Sequence, residues 1–285
     1  MTDTQLRSQP QNDPRGTRTS GPIISSGTRT AGLIMLSVLI IAGVLDHLAS
    51  SDRLGDAGDL VLVFLTLVPL GVAVLMLLVS RTLAAGPVRG QWTTLSLGIL
   101  SAGVGNLIFI VLYLVTGTDP YPSVADVFTL MGYAFLAAGV AKAILAYRGL
   151  LDIRHAVIIA SGFSVVALAV VYFTVIGPYV IFAPTETQSF ATRVFNTIYP
   201  VLDITILLTP AIALGLLVSK LGAGRIAWPW WLVVASAATL ALTDVVFAYA
   251  GYYGYGRTPF VDLGYAAAPL LLGFAALVAR DIYRS

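Results

Sequence analysis

The chain has 285 residues, 58% of them apolar and only 11% charged, with a mean hydropathy of +0.89. Soluble domains carry about twice that charged fraction, so most of this chain must face lipid or other helices. The net charge is only +2 and cysteine is absent, which excludes disulfides, thiolate metal sites and iron–sulfur clusters.

Residues 1–28 are rich in Thr, Ser, Arg, Gly and Pro. They cannot bury enough apolar surface to order themselves and are expected to form a disordered basic cytoplasmic tail. Eight apolar runs follow, near 31–48, 59–80, 92–115, 124–147, 155–177, 196–219, 229–250 and 260–281, each close to the length that crosses a bilayer. Their continuity, without alternation, excludes strands. The expectation is an all-α polytopic membrane domain of eight transmembrane helices over residues 29–285. The first run ends in Asp46-His47-Leu48-Ala49 without small residues at both cleavage positions, so it reads as a retained anchor.

Orientation follows from the basic residues. With the N-terminus inside, thirteen of the sixteen Lys and Arg are cytoplasmic, and only Arg53, Arg193 and Arg257 lie outside. Ten of the fourteen acidic residues fall on the outer side. The basic face suits anionic lipid headgroups. Topology alone does not require the acidic face, since Asp and Glu contribute little to it. The chain is thereby assigned to the plasma (inner) membrane as a multi-pass protein with both termini cytoplasmic.

A hairpin motif recurs along the chain. The third and fourth spans read Gly105-Asn106-Leu-Ile-Phe109, then Tyr121-Pro122-Ser-Val-Ala-Asp126; the seventh and eighth read Thr243-Asp244-Val-Val-Phe247, then Pro259-Phe-Val-Asp262-Leu-Gly-Tyr265. The sixth opens similarly, with Tyr199-Pro200-Val-Leu-Asp203, while Asp59 opens the second and Asp46 closes the first. Four hairpins in two halves that both start inside predict two parallel four-helix repeats about an axis along the membrane normal.

Position sets the meaning of each polar residue. Ser123 followed by Asp126 forms a capping-box pattern, and Thr258-Pro259 is a good cap and first turn. Asp126 and Asp262 could therefore do no more than complement a helix dipole at headgroup level. By helical rise, Asp203 lies about 10 Å into its span and Asp244 about 9 Å from the outer end of its own, with Asn106 somewhat deeper. A carboxylate at such depth costs on the order of 2–3 kcal/mol and normally faces a cavity or a partner. Two arrangements remain open. Arg193 and Arg257 could bridge these acids and knit helices together. Alternatively, Asn106, Asp203 and Asp244 could line an outward polar cavity with Asp126 and Asp262 at its rim. Tyr133 and Tyr265, inside the fourth and eighth spans, join the candidate ligand-binding set. Most other tyrosines, Tyr121, Tyr179, Tyr199 and Tyr249 among them, fit an outer aromatic belt, and Trp92, Trp228, Trp230 and Trp231 an inner one. Pro210 and Pro269, each seven residues after a repeat Asp, should free carbonyls and kink their helices.

Several chemistries are argued against. Retinal needs a lysine within a span, whereas Lys142 and Lys220 fall at inner helix ends. His47 and His155 lie on opposite sides, which removes bis-histidine haem and any His-rich metal site. Ser161-Gly162-Phe163-Ser164 has no intramembrane base, so small residues at a helix contact explain it better. No hydrolytic or phosphate-binding motif is visible. No enzyme activity, catalytic residue, cofactor, metal or nucleic-acid partner is expected.

The segment Asp119-Pro120-Tyr121-Pro122-Ser123-Val124-Ala125-Asp126-Val127-Phe128, with Gly132-Tyr133 following, resembles the multi-span N-terminal sensor region of actinobacterial GGDEF-type diguanylate cyclases. The Asp244–Tyr249 segment and its spacing to Asp262 fit the same pattern. The resemblance implies a membrane sensor. Because the sequence stops at Ser285, directly after the last span, cyclase activity is not carried over. The leading expectation is a stand-alone sensory or partner-binding module, embedded in the lipid bilayer, whose outward acidic cavity takes a small ligand or cation and signals to another membrane or signalling protein. A cation-coupled secondary transporter, and a structural subunit or assembly factor of a membrane complex, are the alternatives.

Overall fold

A backbone in hydrocarbon must satisfy its own N–H and C=O groups, and each apolar run does so as a helix. The computed structural model describes residues 24–50, 57–118, 120–149, 152–184, 188–253 and 259–284. Its helices are α1 (Ser26–Ser50), α2 (Ala57–Thr82), α3 (Pro87–Thr116), α4 (Ala125–Tyr147), α5 (Ile153–Val171), α6 (Phe190–Leu202), α7 (Thr209–Val218), α8 (Trp228–Tyr252) and α9 (Pro259–Arg284). A π-helical stretch, Tyr172–Ile181, extends α5, and another, Asp203–Leu208, joins α6 to α7 within one span. The result is eight helical spans long and apolar enough to cross a membrane. No strand occurs among the described residues.

The first helix starts at Ser26, inside the segment expected to be disordered. Residues 1–23 of that tail lie outside the described residues. The reason for the early start is a long-range tie. Ser25 Oγ accepts the Thr28 N–H, and the Ser25 N–H donates to Asp281 Oδ2 at 2.8 Å. Arg280 adds a hydrogen bond to Thr28 Oγ1. Both ends of the helical domain therefore meet at one end of the bundle, the terminus end. The opposite, acidic end carries Asp59, Asp126 and Asp262 in the first turns of α2, α4 and α9.

Six spans close into a ring. In order round it, α2 packs on α3, α3 on α4, α4 on the α6–α7 span, that span on α8, α8 on α9, and α9 back on α2. α1 leans on α9 and α2, and α5 on α7, both outside the ring. They present Leu33, Ile34 and Ile40, and Ile158, Val165 and Phe173, as exposed apolar faces, the pattern of helices bathed in lipid.

At the terminus end the ring is filled. The Trp92 and Trp230 rings stack at 5.3 Å and are wholly buried with Met76, Leu95 and Leu214. This corrects the expectation that all four tryptophans form a belt. Trp228 and Trp231 are exposed; Trp92 and Trp230 are core. Facing glycines bring α3 and α4 together, as small residues do between membrane helices. A Cβ at Gly132 would stand 2.9 Å from the Gly98 carbonyl oxygen, and one at Gly105 would stand 2.8 Å from that of Ala125. The α3–α4 and α8–α9 hairpins are each also pinned by a serine donating to a carbonyl on the facing helix: Ser101 to Phe128 and Ser236 to Ala268.

Candidate functional site

Above the tryptophan core the walls of the ring stand apart. A cavity of about 290 Å³ opens there, with walls from α2, α3, α4, α6, α8 and α9 and from the π stretch at Leu207. Its polar wall carries Asn106, Asp126, Tyr133, Asp244, Asp262 and Tyr265. Leu95, Ile99, Leu136, Val140, Val233 and Leu272 form an apolar floor nearer the tryptophans. Among the described residues, no lysine, arginine or histidine lines it.

Helix starts and helix defects place the acids. Asp126 sits in the first turn of α4, where its Oδ2 accepts the Ser123 N–H at 2.6 Å while Ser123 Oγ accepts the Ala125 N–H. This is the reciprocal cap that the sequence pattern predicts. Its other oxygen, Oδ1, accepts a 2.5 Å hydrogen bond from the Tyr199 hydroxyl on α6, so Asp126 is both a cap and a cavity wall. Asp203 opens the π stretch between Pro200 and Pro210. Pro210 has no N–H to offer the carbonyl of Ile206, and the span there widens instead of continuing as α-helix. Such π turns re-aim side chains and recur at functional sites. Pro269, by contrast, is carried inside an α9 that remains one helix.

The deep acids meet through tyrosine. The Tyr133 hydroxyl donates to Asp203 Oδ1 at 2.6 Å and lies 3.3 Å from Asp244 Oδ2. Tyr265 donates to Asp244 Oδ1 at 2.5 Å. The rings of Tyr133 and Tyr199 stack at 5.9 Å. One chain of contacts thus runs Tyr265–Asp244–Tyr133–Asp203 across α9, α8, α4 and the sixth span. Asp203 is fully buried behind Tyr133 and is not itself a wall. Its Oδ2 receives no donor. Asp244 stands beside it, and the two carboxyls can hydrogen-bond only when one of them holds a proton.

The arginine bridges weighed from the sequence are not what Arg193 makes. Its guanidinium donates to the carbonyls of Ile181, Pro184 and Gln188. The π stretch after α5 ends at that point and leaves carbonyls without helical partners, which a fork of N–H donors satisfies. Arg193 is therefore removed from the set of ligand-facing residues. Arg257 lies outside the described residues, as does Thr258.

Sequence reasoning missed four contributors. Tyr199 and Tyr121 were assigned to the belt, yet Tyr199 is buried against Asp126 and Tyr121 donates to Asn196 Oδ1 at 2.9 Å. Asn196 and Thr129 also line the cavity. A buried amide in an otherwise apolar run was the available signal for Asn196. The asparagine that was named, Asn106, faces the cavity with its amide engaged by no described residue. Among the described residues, no group of three or more His, Cys, Asp or Glu is placed to hold a metal.

No protein-family model, no curated protein and no solved structure matches the chain.

Proposed function

We propose that this protein is a membrane-embedded ligand-binding module, sensory or partner-binding, whose cavity opens to the outer side of the membrane. One observation carries the reading: a cavity within a closed six-span ring, polar and acidic towards one end and apolar towards the other. Well-formed pockets with a few convergent polar groups on apolar walls are the usual form of a small-molecule site. The charge distribution supports the orientation, because it puts the acidic end outside. The internal repeat belongs to the same reading. Within the ring, the second span packs on the eighth as the sixth packs on the fourth, the cross-contacts expected of two parallel halves.

The absence of cysteine makes the test direct. Asn106→Cys and Thr129→Cys are placed in an otherwise thiol-free chain, and intact cells are treated with a membrane-impermeant thiol reagent. Rapid labelling from outside is expected, with none at Ile159→Cys on the lipid face of α5. Labelling of the cavity positions only from the cytoplasmic side, or not at all, would sink the reading.

The Asp203–Asp244 pair beside a π stretch favours a second reading, a cation-coupled transporter. Paired intramembrane acids are the usual carriers of coupling ions and protons. A proteoliposome flux abolished by Asp203→Asn and Asp244→Asn would put transport first.

A further inference from the structure

We infer that the cavity's ligand is a monovalent organic cation with an apolar body, such as a substituted ammonium, and not an inorganic cation. This rests on the cavity being an outward ligand site, and it adds what the site selects. Three features of the wall fix the chemistry.

The sign comes first. Asp126, Asp244 and Asp262 line the cavity from three different helices, Asp203 adds a fourth carboxyl behind Tyr133, and among the described residues no basic side chain lines it. At the reduced dielectric of a cavity in a membrane protein, charges several ångströms away act on one another strongly. Asp126 and the Asp203–Asp244 pair would repel an anion and attract a cation.

Coordination comes second, and it decides against a metal ion. Inorganic cations need several oxygens converging on one point. Here, among the described residues, no three acids are grouped to hold a metal, and the wall acids already accept hydrogen bonds: Asp126 from Tyr199 and Ser123, Asp244 from Tyr265 and Tyr133. A diffuse organic cation needs no such convergence.

The third feature is the rest of the wall. Phe109, Phe247, Tyr121, Tyr133, Tyr199 and Tyr265 surround the polar end, and aromatic faces attract ammonium groups, more strongly when water is excluded. Beneath them the aliphatic floor formed by residues such as Leu95, Val140 and Leu272 would take an apolar substituent. A headgroup among aromatics and acids, with its body on the aliphatic floor, satisfies both ends of the cavity at once.

The test uses the full chain in lipid nanodiscs, with empty discs as the background. Equilibrium binding is measured for benzyltrimethylammonium, for neopentylbenzene, its neutral isostere, and for sodium as competitor. The cation should bind at least about tenfold more tightly than the isostere, and 150 mM-scale sodium should not displace it. Asn106→Asp should tighten binding by about tenfold and Asn106→Lys should weaken it by at least as much, since the charge at this position faces the ligand. Neither substitution disturbs an existing hydrogen bond. Asp244→Asn should abolish binding, but it alters a buried network, so the Asn106 pair decides if that variant fails to fold. Equal binding of the isostere would overturn charge recognition, as would Asn106 variants that bind alike. Displacement by sodium would assign the site to inorganic cations. No binding in a cavity that still labels from outside overturns this inference alone; no binding together with no labelling overturns the ligand-site reading beneath it.

Discussion

The two ends of the six-span ring are built from the same apolar alphabet and behave in opposite ways. At the terminus end, Trp92 and Trp230 fill the centre together with Met76 and Leu214. At the acidic end, the sixth span widens between Pro200 and Pro210, and tyrosine hydroxyls, not aliphatic groups, cross the gap. Between lipid-immersed helices there is little hydrophobic drive to close a void, so packing and hydrogen bonds decide. One end has large rings that interlock with aliphatic side chains. The other has polar groups whose mutual spacing keeps the walls apart.

The comparison can be broken at its tightest point. Gly132→Leu inserts a side chain where even a Cβ meets the Gly98 carbonyl. Loss of monodisperse protein in size-exclusion chromatography is expected, whereas Gly162→Leu, with open space around it, should purify like the parent. If Gly132→Leu purified normally, the α3–α4 crossing described above would be wrong. Next in size, Trp92→Ala should cost about 3–5 kcal/mol by emptying the stacked core, read as a lower unfolding midpoint in detergent. A change under about 1 kcal/mol would show that this end is not the rigid one.

At the acidic end the sign should reverse. Asp203→Asn gives the atom in the Oδ2 position an N–H to donate to Asp244, removes one buried ionisable group, and should raise stability by about 1 kcal/mol. A clear loss of stability would mean that both acids are held ionised by a bound cation. The smallest effect is expected at Arg193→Ala. Its carbonyl contacts lie partly in solvent, and a shift within about 0.5 kcal/mol with unchanged organic-cation binding is predicted. Loss of binding would restore Arg193 to the site.

The candidate residues were legible to unequal degrees. Asp244 and Asn106 stood out because a polar group deep in an apolar run is costly wherever it points, Asp126 and Asp262 because they recur in the hairpin motif, and Tyr133 and Tyr265 because they lie inside their spans; all six line the cavity. Cost alone gives no direction. It did not reveal that Tyr133 would shield Asp203 from the cavity, nor that Arg193 would turn to the carbonyls left at the end of the fifth span. Trp92 and Tyr199 misled in the same way, because an aromatic near a helix end suits a lipid interface and a buried core equally well.

By itself the sequence determined eight helical spans and the asymmetry of charge, because a membrane leaves an apolar run of that length no other way to satisfy its backbone. The reciprocal cap of Asp126 was readable for the same kind of reason: its partners are three residues apart. Only the tertiary structure decided the closed ring, the tie between Ser25 and Asp281, the filling of one end by tryptophans and the tyrosine bridges at the other. Each of these joins residues about 20 to more than 200 positions apart, and nothing in local pattern says which faces of eight similarly apolar helices will meet.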